Sequence, residues 1–367
     1  MSESTNPSPV AVAVAAPPES STTASPTTVI ESPTPATPPE DTTGSTPAPA
    51  VASVVPAVAA AQPNIEADEI DALEGDSAFG DDASEEHGRR YHAYRDGKYL
   101  IPNDETEQDR LDLHHHVFNL AFDGKLVHAP IKNPSRVLDA GTGTGIWAID
   151  FADQYPEAHI IGSDLSPIQP GWIPPNLEFE VDDLEDTWRH KPFSYIHIRS
   201  LAGSIKDWPR LLSQALSHLE PGGFLEVVEF EVLLRIQNEH EIAFPPMIKK
   251  WQEGLHQAGE AIGRSFDIAP RLKDMLSEAG YVGVHEEVTR VPNSPWAKEK
   301  RWKELGLYQQ HQMLDATSSY GQAHFTRVLG WSKQEFDVMS ACCRRELKDL
   351  RYHTYSDLYV CYGQRPL

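Results

Sequence analysis

An α/β fold, a doubly wound and mostly parallel sheet of seven strands, is predicted by three observations. Short apolar runs of strand length alternate with segments of helical periodicity from residue 136 onward. Three successive runs end in acids, at Asp139, at Asp164 and at Asp182-Asp183. The first run breaks into the bend Gly141-Thr142-Gly143-Thr144-Gly145, which opens an amphipathic segment, Ile146–Gln154.

Taken in order, Pro102-Asn103-Asp104 is a turn whose acid caps a helix through 107–118. Strands follow at 136–139, 159–164, 177–181 and 193–199. The next helix, 208–219, carries Leu211, Leu212, Ala215, Leu216 and Leu219 on one face. Glu220-Pro221-Gly222-Gly223 stops it and turns the chain into a fifth strand, 224–234. Residues 270–279 form a helix closed by Gly280, before a sixth strand at 281–291. Residues 296–350 read as a helical insertion that sits over the cofactor edge as a substrate lobe. The last strand, 356–363, alternates Leu358, Val360 and Tyr362 against Tyr359 and Cys361 and slots in antiparallel.

Composition divides the 367 residues unevenly. Residues 1–88 hold 15 acids and no Lys or Arg, and the first 63 are mostly Pro, Ser, Thr and Ala. Such a stretch offers too little large apolar surface to offset its ordering entropy, so 1–88 reads as a disordered acidic tail. Residues 89–367 read as one domain: a helical lid over 90–128, a cofactor-binding core over 134–234, and a C-terminal lobe with the final strands over 235–367. Of the net charge of −24, the tail carries −15. The ordered part is acidic too, which argues against a protein that grips nucleic acid by its phosphates. The apolar pieces of the tail are too short to span a bilayer and no basic leader precedes them. Cys342, Cys343 and Cys361 show no metal-ligand spacing, so an intracellular, reducing location (cytoplasm, nucleus or both) is expected. Six Ser-Pro or Thr-Pro pairs in the tail are candidates for proline-directed phosphorylation, or the by-product of its composition.

The glycine bend is a nucleotide-cofactor turn: glycines let the backbone pass close under a ligand, and the helix behind offers its N-terminus. A dinucleotide fingerprint is spaced G-x-G-x-x-G around an anionic pyrophosphate. Here the spacing is G-x-G-x-G, with Asp139 two residues ahead of the first glycine. A carboxylate there repels a pyrophosphate and suits the ammonium and sulfonium of S-adenosylmethionine. The cofactor residues are therefore expected to be Asp139, Gly141, Gly143 and Gly145, with Asp164 and the adjoining Leu165 at the ribose and Asp182 and Asp183 at the adenine. Arg199, beyond the fourth strand, is expected to line the same site. An acid at Asp164 also occurs in nicotinamide enzymes, and an oxidoreductase is the reading that the spacing and Asp139 disfavour.

Methyl transfer from a sulfonium needs positioning more than a triad, and none is visible. Should the acceptor need a base, His197 is the first candidate; the alternative is a packed strand histidine. Tyr99, Asp104 and Arg110 form either a lid over the methionine end, with Tyr99 touching the cofactor, or ordinary helix-to-sheet contacts. His114-His115-His116 invite a metal reading, but neighbours on a helix point about 100° apart and do not converge on one ion. No metal site is expected.

From residue 91 to the end the chain resembles the fungal LaeA-like group of S-adenosylmethionine-dependent methyltransferases. The resembling elements are Tyr99-Leu100-Ile101-Pro102-Asn103-Asp104-Glu105, Leu113-His114-His115, the 139–147 turn, and Asp183-Leu184-Glu185-Asp186-Thr187-Trp188. The stretch 197–208, Pro221-Gly222-Gly223-Phe224, Gly263-Arg264, Pro295-Trp296 and Gly330-Trp331-Ser332 complete the set. The resemblance implies a class I methyltransferase fold. It implies either a tailoring enzyme acting on a small metabolite or protein, or a cofactor-binding nuclear regulatory subunit that works with velvet-type partners in secondary metabolism.

Overall fold

The computed structural model describes residues 84–92 and 100–367. The expected tail up to residue 83, with its Ser-Pro and Thr-Pro pairs, lies outside the described residues, as does Tyr99. β1 (Ser84–Glu86) and β2 (Arg89–Tyr91) pair as an antiparallel hairpin across the expected boundary at residue 88. Glu86 ties that hairpin to the C-terminal lobe through Arg327, and Arg89 ties it to Asp104. These ion pairs hold a segment whose composition alone offers little to bury.

Helix α1 (Glu105–Ala121) is capped as its sequence dictates, the Asp104 carboxylate accepting Glu107 N–H at 3.0 Å. Then come β3 (Arg136–Ala140), α2 (Ile146–Gln154), β4 (His159–Asp164), β5 (Leu177–Val181), β6 (Phe193–Arg199), α3 (Trp208–His218) and β7 (Leu219–Phe230). The second half holds β8 (Arg235–Ile236), α4 (Pro246–Ile262), α5 (Leu272–Ala279), β9 (Val282–Pro292), α6 (Lys300–Ser319), α7 (Gly321–Ala323) with a π turn behind it, α8 (Lys333–Leu347) and β10 (Thr354–Gln364). The sheet runs β5-β4-β3-β6-β7-β10, with β9 and the two-residue β8 both paired to β10. β3 to β7 are mutually parallel and β10 enters antiparallel to β7 and β9. The seven expected strands are present in a doubly wound order, and β8 makes an eighth.

One boundary moved for a physical reason. Pro221-Gly222-Gly223, read as a stop, lies inside β7, where a register shift against β6 absorbs it and Gly222 takes φ 81°. The strand therefore begins at Leu219 and ends at Phe230, and residues 231–234 are released toward the lobe.

Apolar side chains from β3, β6 and β7 face α3 and α5 on one side of the sheet, as with Leu138, Ile198, Leu212 and Leu276. On the other side α2 packs Trp147 and Phe151 on Val137, Ile160 and Tyr195. Helix α1 packs Val117 and Phe118 on Val228, Leu358 and Val360. The segment expected as a lid is thus a wall of the core: Arg110 is buried and paired with Glu107 (2.7 Å), and Asp104 is a cap. The lobe has its own core, Ile248, Trp251 and Leu255 from α4 meeting Met313, Phe325 and Phe336. Helix α4 opens on Pro246, which occupies the first helical turn, where its missing N–H costs nothing.

A close approach of side chain to backbone lies under the glycine bend. Gly145 holds φ 82°, and a Cβ there would sit 2.3 Å from Phe179 Cζ on β5. Gly145→Ala is expected to lower stability by roughly 1–3 kcal/mol, the scale of a strained left-handed residue. A thermal melt unchanged from wild type would contradict this account of the turn.

Candidate active site

The bend after β3 is bonded to β4 along its whole length. Gly141 N–H and Thr142 N–H both donate to Ser163 O, at 2.8 and 3.0 Å. Gly143 N–H donates to Asp164 Oδ2 at 2.9 Å, and Gly145 N–H to Thr142 O at 3.0 Å. Gly141, Gly143 and Gly145 all have positive φ, which is why this spacing needs glycine. The amides that would cradle a pyrophosphate are thus engaged within the protein, and the surroundings are acidic. Such a turn suits a cation or a hydroxyl-rich neutral group.

A small cleft opens beside it at the carboxyl ends of β3, β4 and β5. Gly141, Asp164, Leu165, Asp182 and Asp183 line it, as expected, together with Leu184, Glu185, Leu201, Ser204, Ile205 and Arg264. Asp164 accepts Gly143 N–H on one oxygen and Ser166 N–H on the other (2.9 Å each). A carboxylate has about four lone-pair positions, so with the Leu165 amide also bonded to it Asp164 keeps accepting capacity for a ribose hydroxyl. Burial raises the Asp164 pKa, while these amides and the nearby His92 lower it. Asp183 accepts Glu185 N–H (2.9 Å) and Asp182 accepts Asp183 N–H (2.8 Å), which fixes the corner after β5.

Asp139, Gly143 and Gly145 underpin the cleft without lining it. Asp139 is 3% exposed, accepts Thr142 Oγ1–H at 2.6 Å, and burial pushes its pKa up to about 6 against the pull of Arg199. Arg199 does not enter the cleft. Its guanidinium lies 3.1 Å from His115 Nδ1 and over the Phe118 ring. His197 is also elsewhere: it is 1% exposed, stacked on Trp147 at 3.8 Å and 7°, with Tyr195 Oη 3.3 Å from Nδ1. Burial and Arg199 hold it well below its usual pKa, and it lines neither the cofactor cleft nor the lobe cavity. His114, His115 and His116 diverge, toward Phe230, Asp150 and Tyr308 respectively.

Two partners of the cleft carry no local signal. Glu185 and Arg264 are 79 residues apart and form an ion pair at 3.2 Å. Arg264 also donates to Ser204 O, tying the end of α4 to the loop after β6. Glu229, at the end of β7, accepts Leu201 N–H (2.6 Å) and Ala202 N–H (3.4 Å), and so positions the loop that covers Gly141. Burial pushes its pKa up to about 8.

A methyltransferase-domain family model matches residues 113–286. A methyltransferase named pytC from Aspergillus terreus is 41% identical over 286 residues, 76% of this chain and 87% of that one. The secondary metabolism regulator LAE1 of Cochliobolus heterostrophus is 35% identical, covering 77% and 94%. A protein-methionine methyltransferase, laeA of Emericella nidulans, is 33% identical, covering 77% and 76%.

The chain belongs to the LaeA-like family of methyltransferases.

Its cofactor is S-adenosylmethionine, and the donor set fits: acids and internally bonded amides face a ligand whose reacting end is cationic. Among the described residues of this methyltransferase, no helix is long and apolar enough to cross a membrane.

The buried acids give the methyltransferase a pH signature. Glu229, with its pKa raised by burial to about 8, stays protonated in the folded state over a window where the unfolded chain ionises. Stability contributed by that group therefore falls as pH rises through this window and levels off above the folded value. The stability difference between Glu229→Gln and wild type is expected to shift in favour of the variant between pH 6.5 and 8. A difference in melting temperature that stays constant over that range would show that Glu229 titrates normally.

Proposed function

We propose that this methyltransferase binds its cofactor in the cleft beside the glycine bend and methylates a small acceptor admitted from the side of β7 and the lobe. The observation that carries the assignment is the bonding of the bend: its amides are engaged inward while Asp139, Asp164, Asp182 and Asp183 stand around it. Asp164 takes the ribose hydroxyls, and Asp182 and Asp183 take the adenine side with Leu165 and Leu184 at its faces. Gly141 lets the methionine end pass close to the backbone, and buried Asp139 supplies negative potential beneath it. The bound cofactor supplies an electrophilic methyl on a good leaving group. The protein's contribution is to orient the acceptor and exclude water.

A second reading, a regulatory subunit whose output is a complex with velvet-type partners in the nucleus, draws support from relatives named as secondary metabolism regulators. Turnover of a small acceptor by the isolated chain favours the first reading. Turnover that appears only with a partner protein favours the second.

Calorimetric titration tests the cleft. S-adenosylmethionine is expected to bind and NAD to fail; binding of NAD alone would overturn the assignment. Asp164→Ala is expected to weaken cofactor binding by about 1–3 kcal/mol, the loss for hydrogen bonds to a charged acceptor. Affinity is also expected to fall as pH drops below about 6, because Asp139 then takes up a proton that a cationic ligand must displace. In Asp139→Asn that acid limb disappears; its persistence would place the titrating group elsewhere.

A further inference from the structure

Between α1, α4, α6, the end of β7 and the start of β10 lies a small, partly open cavity. Its walls are largely apolar and aromatic, with Phe230, Trp251, Met313 and Tyr320 prominent. Glu229 joins the two spaces: its carboxylate holds the Leu201 loop over Gly141, and the next residue, Phe230, is a cavity wall. An acceptor seated here is next to the loop that closes the cofactor site.

The polar groups in the walls are, with one exception, committed to the protein. Arg110 Nη1 donates to Gln312 Oε1 (2.9 Å), Gln312 Nε2 to Gln309 Oε1 (3.0 Å), Gln309 Nε2 to Asn293 Oδ1 (3.1 Å), and Asn293 Nδ2 to Ser356 Oγ (2.9 Å). Trp251 Nε1–H donates to Thr317 O at 3.1 Å, and Glu231 is clamped by Arg235 on both oxygens. Tyr320 shares a hydrogen bond with Arg110. The exception is His114. It is 7% exposed, it lines the cavity, and its Nε2 is buried without a hydrogen-bond partner.

A buried polar atom left unpaired costs about 1–3 kcal/mol, so a site that leaves one open is matched to a ligand that fills it. The surroundings also select the ligand's charge. Burial together with Arg110 and Arg199 holds the His114 pKa well down, so the imidazole is neutral. With Glu231 held by Arg235 and Arg110 by Glu107 and Gln312, neither a cation nor an anion finds a counter-charge inside. The stacked walls, including the His114 ring 5.3 Å from Phe230 at 25°, suit a flat ring.

We propose that this cavity is the methyl-acceptor subsite, that it takes a small, neutral, flat aromatic compound, and that a hydroxyl on that compound hydrogen-bonds to His114 Nε2. The proposal rests on the reading of the neighbouring cleft as the cofactor site. His114 acts as the positioning residue: its single hydrogen bond turns the acceptor's oxygen toward the cofactor side while the ring stacks on the walls.

The test is equilibrium dialysis of the full chain, loaded with S-adenosylhomocysteine, against four probes of one shape: 2-naphthol, naphthalene, 2-naphthoate and 2-naphthylmethylammonium. The neutral hydroxyl compound is expected to bind at least tenfold tighter than each of the others. His114→Phe should bring 2-naphthol and naphthalene to equal affinity, and His114→Gln, which returns a hydrogen-bonding atom, should restore much of the gap. Ala316→Trp should exclude all four by filling the cavity, with S-adenosylhomocysteine affinity unchanged in every variant. No binding of 2-naphthol, equal or tighter binding of a charged probe, or a gap that survives both His114→Phe and Ala316→Trp overturns the proposal. Failure of S-adenosylhomocysteine itself to bind wild type would instead overturn the cleft assignment, and the acceptor proposal with it.

Discussion

The hydrogen bond from Gly143 N–H to Asp164 is the constraint on which the rest of the site depends. It locks the bend after β3 onto the end of β4, and two further amides, Gly141 and Thr142, reinforce it through Ser163 O. The bend's own amides at Gly141, Thr142, Gly143 and Gly145 are spent this way. The same carboxylate that fixes the turn offers its remaining lone pairs to the cleft. A local folding contact thereby sets the chemical class of ligand. The glycines follow from it, because only left-handed backbone brings three successive amides into reach of one neighbouring strand.

Much of this was legible in the sequence because the information is local. Strand ends at Asp139, Asp164 and Asp182-Asp183 are marked by the switch from apolar to acidic residues, and five of the expected cofactor residues meet in one cleft. What was not legible depends on contacts across long sequence separations. Glu185 and Arg264 meet only because α4 returns to the β6 loop. The lobe's core joins α4 to α6 and α8 across β9, so no single stretch announces it. The Gly222-Gly223 pair shows the converse failure: a strong local turn signal overridden by a bulge within a continuous strand.

The histidines show most plainly how tertiary context reassigns chemistry. His197 and His114 are both buried, and burial drives both below their ordinary pKa. Position on the fourth strand, near the end that faces the cofactor, favours His197 as the reactive one, and the sheet register sets it opposite Asp139. Its ring is nonetheless sandwiched among Trp147 and Tyr195 on the α2 side, away from the cleft and the lobe cavity. His114 looked like one third of a helical triplet. The packing of α1 against β7 and α6 separates the three rings and brings only His114 into the cavity wall.

Charge connects the two spaces. Asp139, Asp164 and Glu229 are all buried near the cofactor cleft, and burial raises each of their pKa values. Asp139 ionises in the fold at neutral pH against a desolvation penalty, whereas Glu229 meets the same penalty by keeping its proton. A cationic ligand offsets that penalty by stabilising the ionised forms, so part of its binding energy comes from relief of a cost already present in the fold. The acceptor cavity is built on the opposite rule: its Glu, Arg and Gln side chains are neutralised or bonded in advance. A field-rich pocket beside a field-poor one is what methyl transfer from a cation to a neutral nucleophile requires, since the charge is concentrated on one partner until the methyl moves. Glu229, whose two backbone bonds hold the loop between them, lies where those two environments meet.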